Sequence, residues 1–127
     1  MLIKFTGGGR GGGGTIAAYL TAPDRAGRDH APPEVVRGDI DRTRDLIDSI
    51  TREWSYTHGV VSFALEDAPT GDQQRQVMDQ FEALAFAGLD PEQYDITWVR
   101  QQQNEGGRGE LHFVTPRMEL TSGRALN

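Results

Sequence analysis

The sequence contains no cysteine, which excludes a disulfide framework and a thiolate metal site. It has no apolar run that approaches the ~20 residues of a membrane-spanning helix. Its first residues, MLIKF, are too short for a signal peptide. These absences predict a cytoplasmic protein without membrane contact. The 127 residues suit one domain, and 36% hydrophobic with 25% charged residues is typical of a globular chain.

Positive charge is also scarce, because the net charge is -6, and this argues weakly against a general nucleic-acid binder. Most of the excess acidity lies between residues 31 and 99, whereas residues 1–30 and 100–127 are mildly basic. The two basic segments also carry the candidate chemistry. The charge distribution is therefore as consistent with local DNA contact as with ordinary helix surfaces.

The spacing of apolar residues predicts an α+β chain, with a largely antiparallel sheet and helices packed on it. The predicted strands are LIKFT, EVVRG, HGVVSFALE, 94–100 and 109–115, of which the last two form a hairpin. The predicted helices are TIAAYL capped by Thr15, Asp39 to about Ser49, and the helix within PTGDQQRQVMDQFEALAFAGLD that Gly88 ends. Residues 7–14 are predicted to be too flexible for regular structure without a partner. Residues 101–108 are predicted as a polar connection, and MELTSGRALN as a strand, a turn and a strand start.

The glycine run has the spacing G-x-G-x-x-G at Gly7, Gly9 and Gly12, which is formally a dinucleotide-binding fingerprint. So many glycines produce this match almost automatically, the P-loop lysine is absent, and no parallel βαβ pattern follows. Two other interpretations remain open. The run is either a flexible loop or a close approach for a DNA backbone, with Arg10 as a phosphate contact.

Within GELHFV, Glu110 and His112 are two residues apart in a strand-like run, so their side chains point the same way. Leu111 and Phe113 point to the other face and are expected in the core. A carboxylate beside an imidazole is half of a metal site, although a solvent-facing strand has the same pattern. Tyr19 follows the glycine run in a short helix, where a lone tyrosine usually packs at the core boundary. A metal and a tyrosine together can cut a phosphodiester and hold the cut end covalently.

The order and spacing of several blocks resemble the N-terminal part of plasmid mobilisation relaxases, which nick and transfer DNA strands. The resemblance covers the opening strand with its glycine run and AAYL, then EVVRGD, YTHGVVSFALEDAP, FEALAFAGLDPEQYDITWV and GRGELHFVTPRMELTSGRALN. It implies a relaxase (HUH-endonuclease-like) fold, in which helices flank a central antiparallel sheet, as one nuclease domain over residues 1–127. Relatives continue past the final ALN, which predicts a domain truncated at its C-terminus.

The resemblance implies a metal-dependent endonuclease and strand transferase that nicks single-stranded DNA at a plasmid transfer origin for conjugative mobilisation. Accessory mobilisation proteins would be further partners. Tyr19 matches the nucleophile that forms a 5′-phosphotyrosyl intermediate, and Glu110 and His112 match the second and third metal ligands. The metal is expected to be Mn²⁺ or Mg²⁺, and imidazole favours Mn²⁺. Expected phosphate contacts are Arg10, Arg100 and Arg108.

One ligand of the family pattern is missing. The histidine expected shortly after WV is replaced by RQQQNEGG. Gln101 or Gln103 offers a carbonyl oxygen, a weaker ligand than imidazole nitrogen, and His58 is a further candidate. The alternative is therefore a truncated or degenerate relaxase-like domain that binds single-stranded DNA or a partner without catalysis. A nucleotide-binding module would instead be stabilised thermally by nucleotide.

Overall fold

In the computed structural model the chain forms three helices and five strands over the described ranges, residues 2–22, 32–63, 69–103 and 108–126. The strands are β1 (Leu2–Arg10), β2 (Glu34–Arg37), β3 (Trp54–Ser62), β4 (Thr97–Gln103) and β5 (Arg108–Pro116). The helices are α1 (Gly13–Thr21), α2 (Ile40–Ser49) and α3 (Gly71–Ala85), and a 3-10 turn at Pro91–Gln93 precedes β4. No helix in these ranges has the length and apolar character needed to cross a membrane.

The strands pair in one sheet in the order β1-β3-β5-β4-β2, and every neighbouring pair is antiparallel. This confirms the predicted α+β fold and the predicted pairing of the last two strands. The polar connection predicted over 101–108 is shorter than expected, because β4 continues to Gln103 and β5 begins at Arg108. The intervening residues 104–107 lie outside the described ranges.

The two faces of the sheet carry separate cores, because successive residues of a strand point to opposite faces. On one face the sheet packs against α3, through Val61, Trp98, Leu111 and Phe113 against Met78 and Phe81. On the other face it packs against α1 and α2, through Val99 and Val114 against Ile16, Leu20 and Ile47. Burial of each large apolar side chain stabilises the fold by roughly 1.5–3 kcal/mol. The sheet is therefore a rigid middle layer with helices on both sides.

The first half of the glycine run is a strand and not a flexible loop, because it has a partner strand. β1 continues to Arg10, with Gly7 opposite His58 and Gly9 opposite Tyr56 on β3. The partner strand provides the backbone hydrogen bonds that hold flexible glycines in an extended conformation. At Gly9 a side chain is sterically excluded, because a Cβ atom would overlap the ring of Tyr56.

Other element boundaries confirm the sequence reasoning in part. Asp39 caps α2 by accepting hydrogen bonds from the backbone N–H groups of Asp41 and Arg42, as predicted. Gly88 follows α3 with a φ of 84°, in the left-handed region that glycine tolerates. The prediction of Thr15 as the cap of α1 was wrong, because α1 begins two residues earlier.

The remaining differences concern strand ends. β3 starts at Trp54, before the predicted HGVVSFALE, whose residues 64–66 lie outside the described ranges. The predicted strands of MELTSGRALN are reduced to one bridge between Met118 and Ala125.

Gly13 lets α1 approach α2 closely. A Cβ atom at this position would lie 2.7 Å from the Cα atom and the carbonyl oxygen of Arg44. The Gly13 backbone N–H also donates a 2.6 Å hydrogen bond to Oδ1 of Asp48. A carboxylate of the chain therefore occupies the helix N-terminus where a dinucleotide phosphate would bind, and the described sheet has no parallel pair. Both observations argue against the nucleotide-binding interpretation.

We expect Gly13→Ala to destabilise the protein by about 1–3 kcal/mol, because the added methyl group overpacks the contact between α1 and α2. Gly14→Ala is the matched control, because nothing lies within 4 Å of a Cβ atom there. Because alanine has a higher helix propensity than glycine, Gly14→Ala should stabilise α1 by up to about 1 kcal/mol. Urea unfolding of the two variants measures the difference, and equal effects would contradict the packing described here.

A single carboxylate joins α3 to the sheet. Oε2 of Glu82 accepts hydrogen bonds from Nε1 of Trp98 at 3.0 Å and from Nη1 of Arg37 at 2.9 Å. Oε1 of Glu82 accepts one from the hydroxyl group of Tyr94 at 2.9 Å. Burial, and then the hydrogen bond to Glu82, raise the pKa of Tyr94 to about 12.

This pKa predicts how stability depends on alkaline pH. The neutral phenol of Tyr94 is favoured by folding, so its contribution to stability is complete below the unfolded pKa of about 10. It is lost as pH rises from about 10 towards about 12. The difference in phenolate absorbance between the wild type and Tyr94→Phe reports the ionisation of Tyr94. Its midpoint should lie near pH 12. A midpoint near 10 while the circular dichroism stays native would contradict this contact.

Candidate active site

The register of β5 sets which side chains meet. Glu110 lies opposite Gln101 on β4 and Ser62 on β3. His112 lies opposite Val99, which belongs to the core beneath α1 and α2. Residues opposite one another in an antiparallel pair share a face. The prediction that Glu110 and His112 share a face is therefore confirmed, and the face is the one that α1 and α2 cover.

His112 is not on a solvent-facing strand, since only 6% of it is exposed. The expectation that Leu111 and Phe113 lie in the core on the opposite face is also confirmed. A buried imidazole needs partners for its ring nitrogens, because an unpaired buried polar group costs about 1–3 kcal/mol.

Two hydrogen bonds satisfy His112 and link three side chains in a row. Nε2 of His112 lies 3.0 Å from Oε1 of Glu110, and Nδ1 of His112 lies 3.2 Å from Nε2 of His58. A carboxylate only accepts hydrogen bonds, so Nε2 of His112 carries a proton and donates it to Glu110. The carboxylate therefore fixes the proton at one end of the row.

His58 reaches this group from β3, where it lies opposite Val114 and on the same face. The two imidazole rings are nearly parallel, with centroids 5.4 Å apart and an interplanar angle of 15°. Burial, and then the neighbouring His112, lower the pKa of His58 to about 4. His58 is therefore neutral near pH 7. In the sequence it was one further candidate ligand, and only the cross-strand register shows its contact with His112.

Tyr19 lies on α1 above the same group. Ile16 and Leu20 of α1 are buried in the core, whereas Tyr19 between them is 40% exposed. The ring of Tyr19 meets the ring of His58 edge to face, with centroids 6.2 Å apart. Tyr19 is partly accessible from solvent. The structure thus brings together Tyr19, His58, Glu110 and His112 from three distant parts of the chain.

Gln101 has a partner other than a metal. Its side chain is buried, and its Nε2 donates a 3.0 Å hydrogen bond to the backbone carbonyl oxygen of Leu20. Leu20 directly follows Tyr19, so this bond attaches the last turn of α1 to β4. Gln101 does lie beside Glu110, but its role as a third metal ligand stays a prediction. The side chain of Gln103 lies outside the described part of the chain.

Two of the three arginines expected to contact phosphates pair with carboxylates away from this site. Arg10 pairs with Glu53 at 2.8 Å and stacks on Trp54, 4.5 Å from the ring centroid. Arg100 lies opposite Leu111 and so faces α3, and it pairs with Glu34 on the neighbouring strand β2. The side chain of Arg108 is outside the described residues. These phosphate contacts stay predictions.

A divalent metal requires several donor atoms that converge on one point. Across the described ranges, no group of three or more His, Cys, Asp or Glu side chains is arranged to hold a metal ion. Imidazole and carboxylate are nevertheless ligand types that Mn²⁺, Co²⁺ or Zn²⁺ accepts. In ligand type, though not as a formed cluster, these residues suit such a metal.

Two proteins with plasmid- or DNA-related names match the chain over nearly its whole length. It is 40% identical over 126 residues to cryptic plasmid protein C of Neisseria gonorrhoeae, a match of 99% of this chain and 58% of the relative. It is also 40% identical over 126 residues to the DNA relaxase MbeA of Escherichia coli, covering 23% of that protein. No family model matches the chain. The chain therefore spans less than two thirds of the length of each of these two relatives.

We expect Gln101→Glu to destabilise the fold by about 1–3 kcal/mol at neutral pH, because a carboxylate cannot donate to the Leu20 carbonyl. Part of the loss should be recovered at acidic pH, where a protonated carboxyl group donates again. Gln80→Glu, on the exposed side of α3, is the control and should change stability by less than about 0.5 kcal/mol. Equal effects of the two substitutions in thermal unfolding would show that the bond does not hold α1.

Proposed function

We propose that this chain nicks single-stranded DNA by tyrosine transesterification at a plasmid transfer origin. Its similarity to a DNA relaxase and to a cryptic plasmid protein supports the proposal. The observation that carries the proposal is the position of Tyr19. The chain is similar to a DNA relaxase, and the ring centroid of its half-exposed Tyr19 lies 6.2 Å from that of His58. His58 in turn contacts His112, which contacts Glu110. A tyrosine elsewhere on the surface would not support this function.

The proposed reaction is an exchange of phosphate esters. The hydroxyl oxygen of Tyr19 attacks the scissile phosphorus, and a new P–O bond joins the enzyme to the 5′ end of the cut strand. The P–O bond to the 3′ oxygen breaks, and this oxygen takes up a proton as a free 3′-OH. The tyrosine gives up its own proton to water or a base. One ester replaces another, so the reverse reaction can rejoin the ends.

The residues of the site would divide this work. A tyrosine hydroxyl is a poor nucleophile near neutral pH, so its target must be made more electrophilic or its proton removed. A divalent cation, when bound, polarises the scissile phosphate and offsets its developing negative charge. Glu110 and His112 would hold the cation from their positions on the rigid sheet. The bond from Gln101 to Leu20 fixes the end of α1 next to Tyr19.

Substrate recognition would combine this site with contacts to the DNA backbone. A chain with net charge -6 has little general attraction for DNA, so binding needs local cations such as Arg10. Such contacts would weaken as salt rises, because each neutralised phosphate releases counterions. Recognition of one origin sequence, and help from accessory mobilisation proteins, belong to the same proposal.

The test is a covalent adduct. Single-stranded oligonucleotides that tile the DNA around the gene are incubated with the protein and Mn²⁺, and a denaturation-resistant protein–DNA species is sought. Tyr19→Phe should reduce the adduct to background, because it removes only the attacking oxygen. Tyr56→Phe, the same change on β3, is the control and should leave the adduct in place.

A different result would favour the alternative function. If the protein binds the oligonucleotides but forms no adduct at any Mn²⁺ concentration, it is a relaxase-like domain that binds DNA without cutting it. If the adduct persists in Tyr19→Phe, another residue is the nucleophile and the proposal is wrong.

A further inference from the structure

A pocket of about 290 Å³, here called the Phe5 pocket, opens on the face of the sheet that α3 covers. It is lined by Gly8 and Thr57 of neighbouring strands and by the rings of Phe5, Phe81 and Phe113. The mechanism proposed above uses none of these residues. The volume is at the lower end of the ~300–1,000 Å³ of small-molecule sites, so the pocket suits one planar ring rather than an extended ligand.

Phe5 is the outer wall of this pocket. Its side chain is 63% exposed, although large apolar side chains are usually buried. The centroid of its ring lies 6.0 Å from that of Phe81 and 5.9 Å from that of Phe113. The ring is therefore supported by the core on one side and accessible to solvent on the other. Such a ring is a platform on which an unpaired nucleobase stacks.

The Phe5 pocket is bordered by positive charge. Arg117 lines it and lies over β1, because a Cβ atom at Gly8 would be 2.8 Å from Nη1 of Arg117. None of the described residues that line the pocket is acidic. Beside it, Nη2 of Arg52 donates a 2.7 Å hydrogen bond to the backbone carbonyl oxygen of Arg117.

These two arginines differ from most others in the described ranges, where carboxylates pair with Arg10, Arg37 and Arg100. Within the same ranges the printed side-chain partners of Arg52 and Arg117 are backbone carbonyl oxygens. Both can therefore bind a phosphate without giving up an ion pair to a described carboxylate. In a chain of net charge -6, this local charge favours an anionic ligand.

We propose that the Phe5 pocket binds one base of single-stranded DNA, with Phe5 stacked on the base and Arg117 on an adjoining phosphate. The proposal deepens the proposed function and rests on it for the choice of single-stranded DNA as the ligand. It requires no cleavage, so the two can fail separately.

The glycine run allows one DNA strand to reach both faces of the sheet. β1 is an edge strand, in which Gly7 lies opposite His58 and the next glycine lies opposite Thr57. Adjacent residues of β3 point to opposite faces, so His58 faces the candidate active site and Thr57 faces the Phe5 pocket. Glycines 7–9 project no side chains, so a DNA backbone can cross this edge closely. Outward backbone N–H groups of an edge strand also suit phosphate oxygens.

The experiment measures binding of fluorescein-labelled oligothymidylate to the whole chain by fluorescence anisotropy, without divalent metal. Phe5→Ala should weaken binding about tenfold, because it removes one stacking platform. Phe5→Tyr keeps the ring and should retain the affinity that Phe5→Ala loses. Leu84→Ala is the control, because Leu84 is exposed on α3 but does not line the pocket, and it should leave affinity unchanged.

A strand of the same length without bases separates stacking from charge. The wild type should prefer oligothymidylate to this abasic strand, and Phe5→Ala should reduce the preference about tenfold, because the mutation and the missing bases remove the same contact. Circular dichroism melting shows whether each variant is folded before affinities are compared.

Salt dependence tests the role of Arg117. Arg117→Gln should reduce the slope of log affinity against log salt concentration by about one, whereas Phe5→Ala should leave the slope unchanged. Arg75→Gln is the matched control, because it removes the same charge from an arginine that pairs with Asp72 on α3. An equal change of slope in the two arginine variants would overturn the assignment of Arg117.

Two results would overturn the pocket as a whole. One is a folded Phe5→Ala protein that keeps both the affinity and the base preference of the wild type. The other is a folded wild type that does not bind oligothymidylate. A Phe5→Ala protein that forms the Tyr19 adduct at the same DNA concentration as the wild type would overturn the pocket and leave nicking intact. Loss of base preference in Phe5→Ala would support the pocket even if no adduct forms.

Discussion

The register of β5 between β3 and β4 is the constraint on which the site depends. Because side chains alternate along a strand, a slip of one residue would turn Glu110 and His112 towards α3 and expose Leu111 and Phe113 to the other face. The large buried side chains Trp98 and Phe113 make that slip costly. Packing of the core on one face thus fixes which side chains lie on the other face. Glu110, His112 and His58 are held in place because they lie on strands of a rigid sheet.

The position of Tyr19, the proposed nucleophile, depends on a second, weaker constraint. Tyr19 lies on a nine-residue helix that would be marginal alone, so its position comes from contacts with the rest of the fold. Gly13 allows α1 to approach α2, and the amide of Gln101 holds the carbonyl next to Tyr19. Gly13 and Gln101 are not reactive themselves, but their contacts position α1, and with it Tyr19, relative to the histidines.

Local patterns predicted the elements with strong periodicity and missed what depends on pairing. The helix with Val77, Phe81 and Leu84 and the alternation of Glu110 and His112 follow from spacing alone. The strand through Gly7 and Gly9 does not, because glycine has no strand preference and only β3 holds it extended.

The candidate site shows the same division between local and distant effects. Tyr19, Glu110 and His112 were named from the sequence. The contact between His58 and His112, 54 residues apart in the chain, arises from cross-strand register that no local pattern contains. The hydrogen bond of Gln101 could not be predicted from the sequence either, because it depends on where α1 packs.

The most direct test of the account is to locate the DNA on the protein by mass spectrometry after tryptic digestion. Trypsin releases residues 11–25 as one peptide in which Tyr19 is the sole tyrosine. The account predicts that this peptide carries the nucleotide remnant of the 5′ end, and a remnant on any other peptide would contradict it.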